Sequence, residues 1–150
     1  MLQPDPSWPV FIVPHQSQKN ACQLARVAPD GQIHWLPPQL PFPFTSSGKR
    51  TPQAVSAEWV VGLLPAEAPE AGMRLFRARL RANGQELERL PDLELHPALR
   101  VHSLLLDGDW LYVGGAANWA YHNARPQPAP FGEYFSRLHL PEAEPTLTAI

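Results

Sequence analysis

Prolines constrain this chain more than any other feature. The 150 residues include 19 prolines, spread so evenly that few windows of a dozen residues lack one. An interior proline removes a helical hydrogen bond and clashes with the preceding turn, so this spacing predicts that long helices are absent. The proline-free stretches are short apolar or alternating runs, and Asp30-Gly31, Asn83-Gly84 and Asp107-Gly108 provide hairpin turn signals. The sequence therefore predicts an all-β fold. A helix over residues 72–88, which are rich in Arg, Leu, Ala and Glu, is the competing interpretation.

Charge and cysteine content exclude several classes of protein. The chain has 12 basic and 14 acidic residues without a basic run, which argues against binding nucleic acid through its phosphates. Cys22 is the only cysteine, so neither an internal disulfide framework nor a cysteine-rich zinc site is expected. No apolar stretch approaches the roughly 20 residues of a membrane span, and the N-terminus does not resemble a signal peptide. We therefore expect a single domain over residues 1–150 that is soluble, and cytoplasmic or part of a particle.

Tryptophan marks an internal repeat. Trp8, Trp59 and Trp110 follow one another at intervals of 51 residues, and each opens an apolar run. Other landmarks keep the same order after each tryptophan, including a small residue followed by arginine and an apolar residue, at Arg26, Arg79 and Arg137. This pattern predicts one supersecondary unit of about four strands, repeated three times. Such units cannot bury their own faces and must stack on their neighbours.

The third unit shows what kind of unit this is. Its landmarks are Leu90-Pro91-Asp92-Leu93, then the run Arg100–Leu105, the Asp107-Gly108 turn, and an apolar run from Trp110 that ends in Gly114-Gly115. This pattern resembles the kelch repeat. The second unit departs from it, because Gly62-Leu63 stands where the double glycine is expected.

The kelch resemblance implies four-stranded antiparallel blades of a partial β-propeller, over about 1–38, 50–93 and 100–150. The local signals place the strands of the second blade at 53–58, 59–64, 74–81 and 87–93, those of the third at 101–107, 110–115, 134–140 and 146–150, and those of the first at 10–13, 23–28 and 32–36. Residues 1–7, with two prolines, would make a poor fourth strand for the first blade.

Three blades are too few for a closed ring, since propellers have typically four to eight. An open arc exposes an apolar face at each end and an unpaired strand edge, which favours association. We expect either a homodimer of three-blade arcs, because closed symmetry satisfies both ends with one kind of contact, or a subunit of a larger assembly such as a virion or tail. A β-sandwich that is not a propeller is the remaining alternative.

Binding residues are expected in the longest loop, residues 116–133. Its candidates are Asn118, Trp119, Tyr121, His122, Asn123 and Arg125. Aromatic planes beside amides and an arginine suit either a sugar or a protein hot spot. The alternative is that Trp119 and Tyr121 pack down on the blade. The aromatic segment 41–44 likewise either docks a partner or covers the arc.

Catalytic, metal and cofactor sites are not predicted. The six histidines include no pair at a metal-ligand spacing. The repeated Arg26, Arg79 and Arg137 are interpreted as structural, pairing with an acid or carbonyl of a neighbouring strand. The first functional hypothesis is thus a non-enzymatic structural or protein-binding module, and the alternative is a carbohydrate-binding propeller that uses the 116–133 loop.

Overall fold

The computed structural model describes residues 5–14, 22–41, 52–65, 72–97, 99–117 and 134–149. The strands in these ranges are β1 (Val10–Pro14), β2 (Cys22–Val27), β3 (Ile33–Leu40), β4 (Gln53–Val55), β5 (Trp59–Leu64), β6 (Arg74–Arg81), β7 (Glu86–Glu94), β8 (Leu99–Asp107), β9 (Trp110–Ala117), β10 (Tyr134–His139) and β11 (Thr148–Ala149). The only helical element among the described residues is a 3₁₀ turn at Ala82–Gly84. The all-β prediction is confirmed, and the competing helix over 72–88 is wrong.

The strands form three antiparallel sheets that follow one another along the chain. The first sheet is β1-β2-β3, the second is β4-β5-β6-β7, and the third has β8, β9, β10 and β11 side by side. Each strand therefore pairs with its neighbours in sequence. Residues 5–8 precede β1 as a turn, in which the Trp8 amide donates to the Asp5 carbonyl at 3.0 Å.

Glycines at positive φ close the tight hairpins. Gly31, Gly84 and Gly108 have φ of 87°, 87° and 58°, and Asn83 has φ of 57°. These are the turn positions that the Asx-Gly pairs predict, because glycine and asparagine adopt this backbone region at low cost. The turn at Asn83-Gly84 reverses the chain between β6 and β7, where local propensity alone would favour a helix.

Some strand ends differ from the prediction for identifiable reasons. β4 ends at Val55 because the Ser56 hydroxyl accepts the amides of Glu58 and Trp59, at 3.3 and 3.1 Å, and holds a turn there. β3 continues through Pro37 and Pro38 to Leu40, four residues beyond the predicted end. It is the last strand of its sheet, and its pairing with β2 shifts register opposite these prolines, so no ladder bond needs their missing N–H groups. Pro91 lies at a similar register shift in β7.

Two apolar cores hold the sheets together. One lies between the first and second sheets and includes Leu24, Leu36, Val60 and Phe76. The other lies between the second and third sheets and includes Val61, Leu63, Leu111, Val113 and Leu138. Burial of one such side chain contributes about 1.5–3 kcal/mol. All six residues of β5 are buried because the second sheet is covered on both faces.

The double glycine lies inside β9, which continues to Ala117, two residues beyond the predicted end, and Gly115 marks a close backbone approach. A Cβ on Gly115 would lie 2.0 Å from the Arg100 carbonyl oxygen, so only glycine fits this position. The pairing of β8 with β9 shifts register at the same place, between Val101 and Ser103. No helix in the described ranges has the length and apolar character that a membrane crossing requires.

Candidate functional site

Along the strand that follows each tryptophan, successive side chains point alternately toward the following sheet and toward the preceding sheet. At even offsets from the tryptophan they face the next sheet in the chain: Val10 and Ile12 pack on the core shared with the second sheet, and Trp59 and Val61 on the core shared with the third. At odd offsets they face the preceding sheet, as Val60 and Leu111 do. The repeat thus gives every sheet one side for its successor and one for its predecessor.

Strand register identifies an equivalent arginine in each sheet. Arg26 lies opposite Val10, Arg77 opposite Val61, and Arg137 opposite Tyr112, which are the second residues after the three tryptophans. The sequence repeat matched Arg79 with Arg26 and Arg137, whereas the register matches Arg77. Both arginines lie on the same face of β6, so local sequence does not distinguish them.

Arg26 is buried and bonds the turn that precedes β1. Its Nη1 donates to the carbonyls of Pro6 and Trp8, at 3.1 and 2.9 Å. Burial lowers the pKa of Arg26, and the nearby Asp5 carboxylate partly opposes that shift. Hydrogen bonds from the Ser7 amide and hydroxyl, both at 2.8 Å, lower the pKa of Asp5.

Arg77 joins the second sheet to the third. Its Nε donates to the Pro91 carbonyl at 3.0 Å, and its Nη1 and Nη2 donate to the carbonyls of Glu142 and Ala143 at 2.7 and 3.2 Å. Nη1 also bonds the Leu140 carbonyl. Burial lowers the pKa of Arg77. The acceptors at 140–143 lie in the segment that follows β10. The Arg77 guanidinium of the second sheet therefore bonds the connection between β10 and β11 in the third sheet.

Trp59 forms the second polar contact between these sheets. Its fully buried indole donates from Nε1 to Asp109 Oδ1 at 2.8 Å. The Arg79 guanidinium lies over the indole, 4.6 Å from the ring centroid, and its Nη2 is 3.8 Å from the same carboxylate oxygen. Asp109 belongs to the turn between β8 and β9. A carboxylate of the third sheet therefore pairs with the Arg79 guanidinium and accepts a hydrogen bond from the Trp59 indole, both of the second sheet.

Trp110 occupies the same position on the third sheet, where it is 36% exposed. The Arg137 guanidinium stacks on it, 4.4 Å from the ring centroid, and the His139 ring lies 4.8 Å away. Arg137 is itself exposed, and a 3.8 Å ion pair joins His139 to Glu142 when the imidazole is protonated.

All the exposed large hydrophobic side chains among the described residues lie on two surfaces. Phe11, Ile33 and Trp35 lie on the outer face of the first sheet, where strand register aligns Phe11, Ala25 and Trp35 in one row. Leu105, Trp110 and Phe135 lie on the outer face of the third sheet. Their exposed fractions run from 36% to 65%. We call these two surfaces the first end face and the third end face.

The signal for these end faces was present in the sequence, in the alternation after each tryptophan. The binding residues predicted from the longest loop, Asn118, Trp119, Tyr121, His122, Asn123 and Arg125, lie outside the described residues, as do residues 42–44 of the aromatic segment. The end faces are therefore the candidate site that the described residues define.

A groove lies beside the outer strands of the first and second sheets. It is lined by Gln39, Leu40, Pro41, Phe76, Leu87 and Arg89. The Arg89 guanidinium lies over the Phe76 ring at 4.8 Å and bonds both oxygens of Asp92, at 3.1 and 3.0 Å. Its charge is thus already matched within the chain. Among the described residues, no group of three or more His, Cys, Asp or Glu could hold a metal ion.

Comparisons with protein-family models, with curated proteins and with solved structures find no match to this chain.

Proposed function

We propose that this protein is a non-enzymatic assembly module, in which three kelch-like blades form an arc of a β-propeller and the two end faces bind further protein. The observation that carries the proposal is the distribution of exposed large hydrophobics. They occur on the outer faces of the first and third sheets, and among the described residues the second sheet has none.

The second sheet shows what a covered face looks like in this repeat. Its β5 is buried throughout, because a sheet lies against each side. Each large apolar side chain moved from water to such a contact contributes about 1.5–3 kcal/mol, and contiguous exposed apolar patches typically mark interaction surfaces. Two uncovered faces of the same repeat are therefore suited to receive further sheets.

The arrangement of the strand edges supports an arc. β4 contacts β1 on one side and β8 on the other, so the leading strands of the three sheets lie next to one another. Leading strands gather in this way around the centre of a propeller. Two arcs of three blades make a ring of six, which is within the usual range. Incorporation into a larger particle, such as a virion or tail, is the other form that the same assembly would take.

Light scattering on the purified chain tests the proposal. We expect the mass at micromolar concentration to be twice the 16.7 kDa of one chain. The variants Trp35→Asp and Phe135→Asp should lower that mass, because each places a charge on one end face. Gln85→Asp is the control, since this exposed residue lies in the turn between β6 and β7, away from both end faces. A 16.7 kDa monomer at every concentration would contradict self-assembly.

Carbohydrate binding through the 116–133 loop is the alternative from the sequence. Its candidate residues lie outside the described ranges, so assembly is the function that the described residues support.

A further inference from the structure

We propose that assembly has a direction: the third end face of one copy docks on the first end face of a second copy, where Arg137 pairs with Asp30 and the Trp110 indole donates to Asp5. This rests on the assembly function proposed above and adds which surfaces and side chains meet.

The contact between the second and third sheets serves as the template. The side of the second sheet that meets its successor carries Trp59, Val61, Arg77 and Arg79. The third end face carries Trp110, Tyr112, Arg137 and His139 at the same register positions. It is therefore the side that faces a successor in the repeat, and the chain has no fourth sheet among its described residues to cover it.

The first end face is the complementary side. Phe11 lies three residues after Trp8, an odd offset, and odd offsets face the preceding sheet in the second and third sheets. Ile33 and Trp35 share its face through the pairs Val27–Ile33 and Ala25–Trp35. The exposed side of the first sheet is thus the side that packs on a preceding sheet elsewhere in the repeat. The exposed side of the third sheet is the side that packs on a following sheet.

The contact between the second and third sheets also indicates which turns of the first end face would meet the Trp110 indole and the Arg137 guanidinium. Trp59 donates to Asp109, in the segment just before the next tryptophan, and Arg77 donates to acceptors that follow β10. The corresponding segments of the first sheet are the turn at 5–8, which contains Asp5, and the turn between β2 and β3, which contains Asp30.

The Asp5 and Asp30 carboxylates are both exposed, and each can accept further hydrogen bonds. Asp5 Oδ1 accepts from the Ser7 amide and hydroxyl, and Asp30 Oδ1 accepts from the Gln32 amide at 2.9 Å. An ionised carboxylate can accept about four hydrogen bonds, so these contacts do not exhaust either group.

Charge complementarity favours this direction over the symmetric alternatives. Contact between two third end faces would bring Arg137 of one copy toward Arg137 of the other. Contact between two first end faces would bring together two sets of acidic turns. Among Arg137, Asp5 and Asp30, only the directional contact brings opposite charges together. When two copies join in this way the ring can close, with two identical contacts.

Two variants that each block one end face separate these arrangements. Trp35→Asp blocks the first end face, and Phe135→Asp blocks the third; both side chains are largely exposed, at 52% and 63%, so the fold should persist, as circular dichroism would verify. For directional assembly, each variant alone is monomeric and an equimolar mixture forms a two-chain species with one intact contact. Association of the Trp35→Asp variant alone would indicate contact between third end faces. Association of the Phe135→Asp variant alone would indicate contact between first end faces. Either result would overturn the proposal while leaving the assembly function intact.

Charge exchange tests the pairing itself. We expect Arg137→Glu and Asp30→Arg each to raise the dissociation constant at least tenfold. A mixture of the two variants should form the closed two-chain ring, because both of its contacts then pair opposite charges, one exchanged and one original. Arg81→Glu is the control, because Arg81 is an exposed arginine of the second sheet, away from the end faces. If the mixture associates no better than its components, the Arg137–Asp30 pairing is wrong. If the unaltered protein is itself monomeric, the assembly function fails as well.

Discussion

At the scale of the residue, Arg77 shows how the chain uses a buried cation. Arg77 is 1% exposed, and its guanidinium bonds backbone carbonyls rather than a carboxylate. These carbonyls lie at a register shift in β7 and in the turns after β10, where no strand partner is available for them. One planar group with five donors satisfies several such acceptors at once, which lysine could not do in the same geometry.

We predict that Arg77→Met lowers the free energy of unfolding by about 3 kcal/mol. Methionine keeps much of the apolar stem but removes the donor of four carbonyls. The Leu140 carbonyl is buried, and a buried acceptor left unpaired costs about 1–3 kcal/mol, whereas Pro91, Glu142 and Ala143 are exposed residues whose carbonyls water can reach. Urea denaturation followed by tryptophan fluorescence measures the change.

The matched control is Arg81→Met in the same strand. Arg81 forms an exposed ion pair with Glu88 at 2.6 Å, and exposed pairs contribute at most about 1 kcal/mol. Equal losses from the two substitutions would mean that the buried hydrogen bonds of Arg77 contribute nothing specific.

At the scale of the element, prolines shape the outer edges of the sheets. Pro37, Pro38 and Pro91 lie in the strands β3 and β7, which are the last strands of their sheets. Both strands shift register at these prolines, so the edges are irregular and partly without N–H donors. Irregular, proline-containing edges resist pairing with strands of other molecules. The chain is therefore expected to associate through sheet faces rather than through these edges.

The polar contact between the second and third sheets can be measured by a double-mutant cycle. We predict a coupling energy of about 1.5 kcal/mol between Trp59→Phe and Asp109→Ala, because phenylalanine removes the N–H that donates to this charged acceptor at 2.8 Å. The free energies of unfolding of both single variants and the double variant give the coupling.

Trp110→Phe, combined with the same Asp109→Ala change, is the control for that cycle. Trp110 has the equivalent position on the third sheet but is 36% exposed. We expect no measurable coupling for this second pair in the monomer. Additive effects for Trp59 and Asp109 would show that their hydrogen bond does not join the sheets.

At the scale of the whole molecule, burial is graded from the middle of the stack outward. The second sheet has a core on each side, whereas the first and third sheets each have one covered and one exposed face. Backbone amides open most rarely where the most apolar contacts must be broken. The stability of the end sheets should therefore depend on association, and that of the middle sheet much less.

Hydrogen exchange followed by mass spectrometry checks this gradient. We predict that peptides covering β5 and β6 exchange slowest at every protein concentration. Peptides covering β9 and β10 should gain protection when the concentration rises through the dissociation constant, because a second molecule then covers the third end face.

The Phe135→Asp variant provides the control for this measurement. It should remove the concentration dependence of β9 and β10 while the protection of β5 remains. Exchange of β9 and β10 that is independent of concentration in the unaltered protein would contradict the role of the third end face.

Sequence reasoning reached the strands and their order because these depend on local properties. Prolines and Asx-Gly pairs mark where strands and turns can occur, and the 51-residue tryptophan interval marks the repeat. Most predicted strands agree with the structure to within a few residues, the main exceptions being β3, which is longer than predicted, and β4 and β11, which are shorter. The alternation that gives each sheet two apolar sides can also be read from the chain.

Tertiary structure alone decided which of these local features are buried. Arg77 and Arg79 have similar neighbours in sequence, yet the third sheet places carbonyls against one and a carboxylate against the other. Trp59 and Trp110 open the same kind of strand, yet the first is fully buried and the second is 36% exposed. The physical reason is that burial depends on residues far along the chain: a further sheet packs against Trp59, and among the described residues none packs against the outer side of the third sheet.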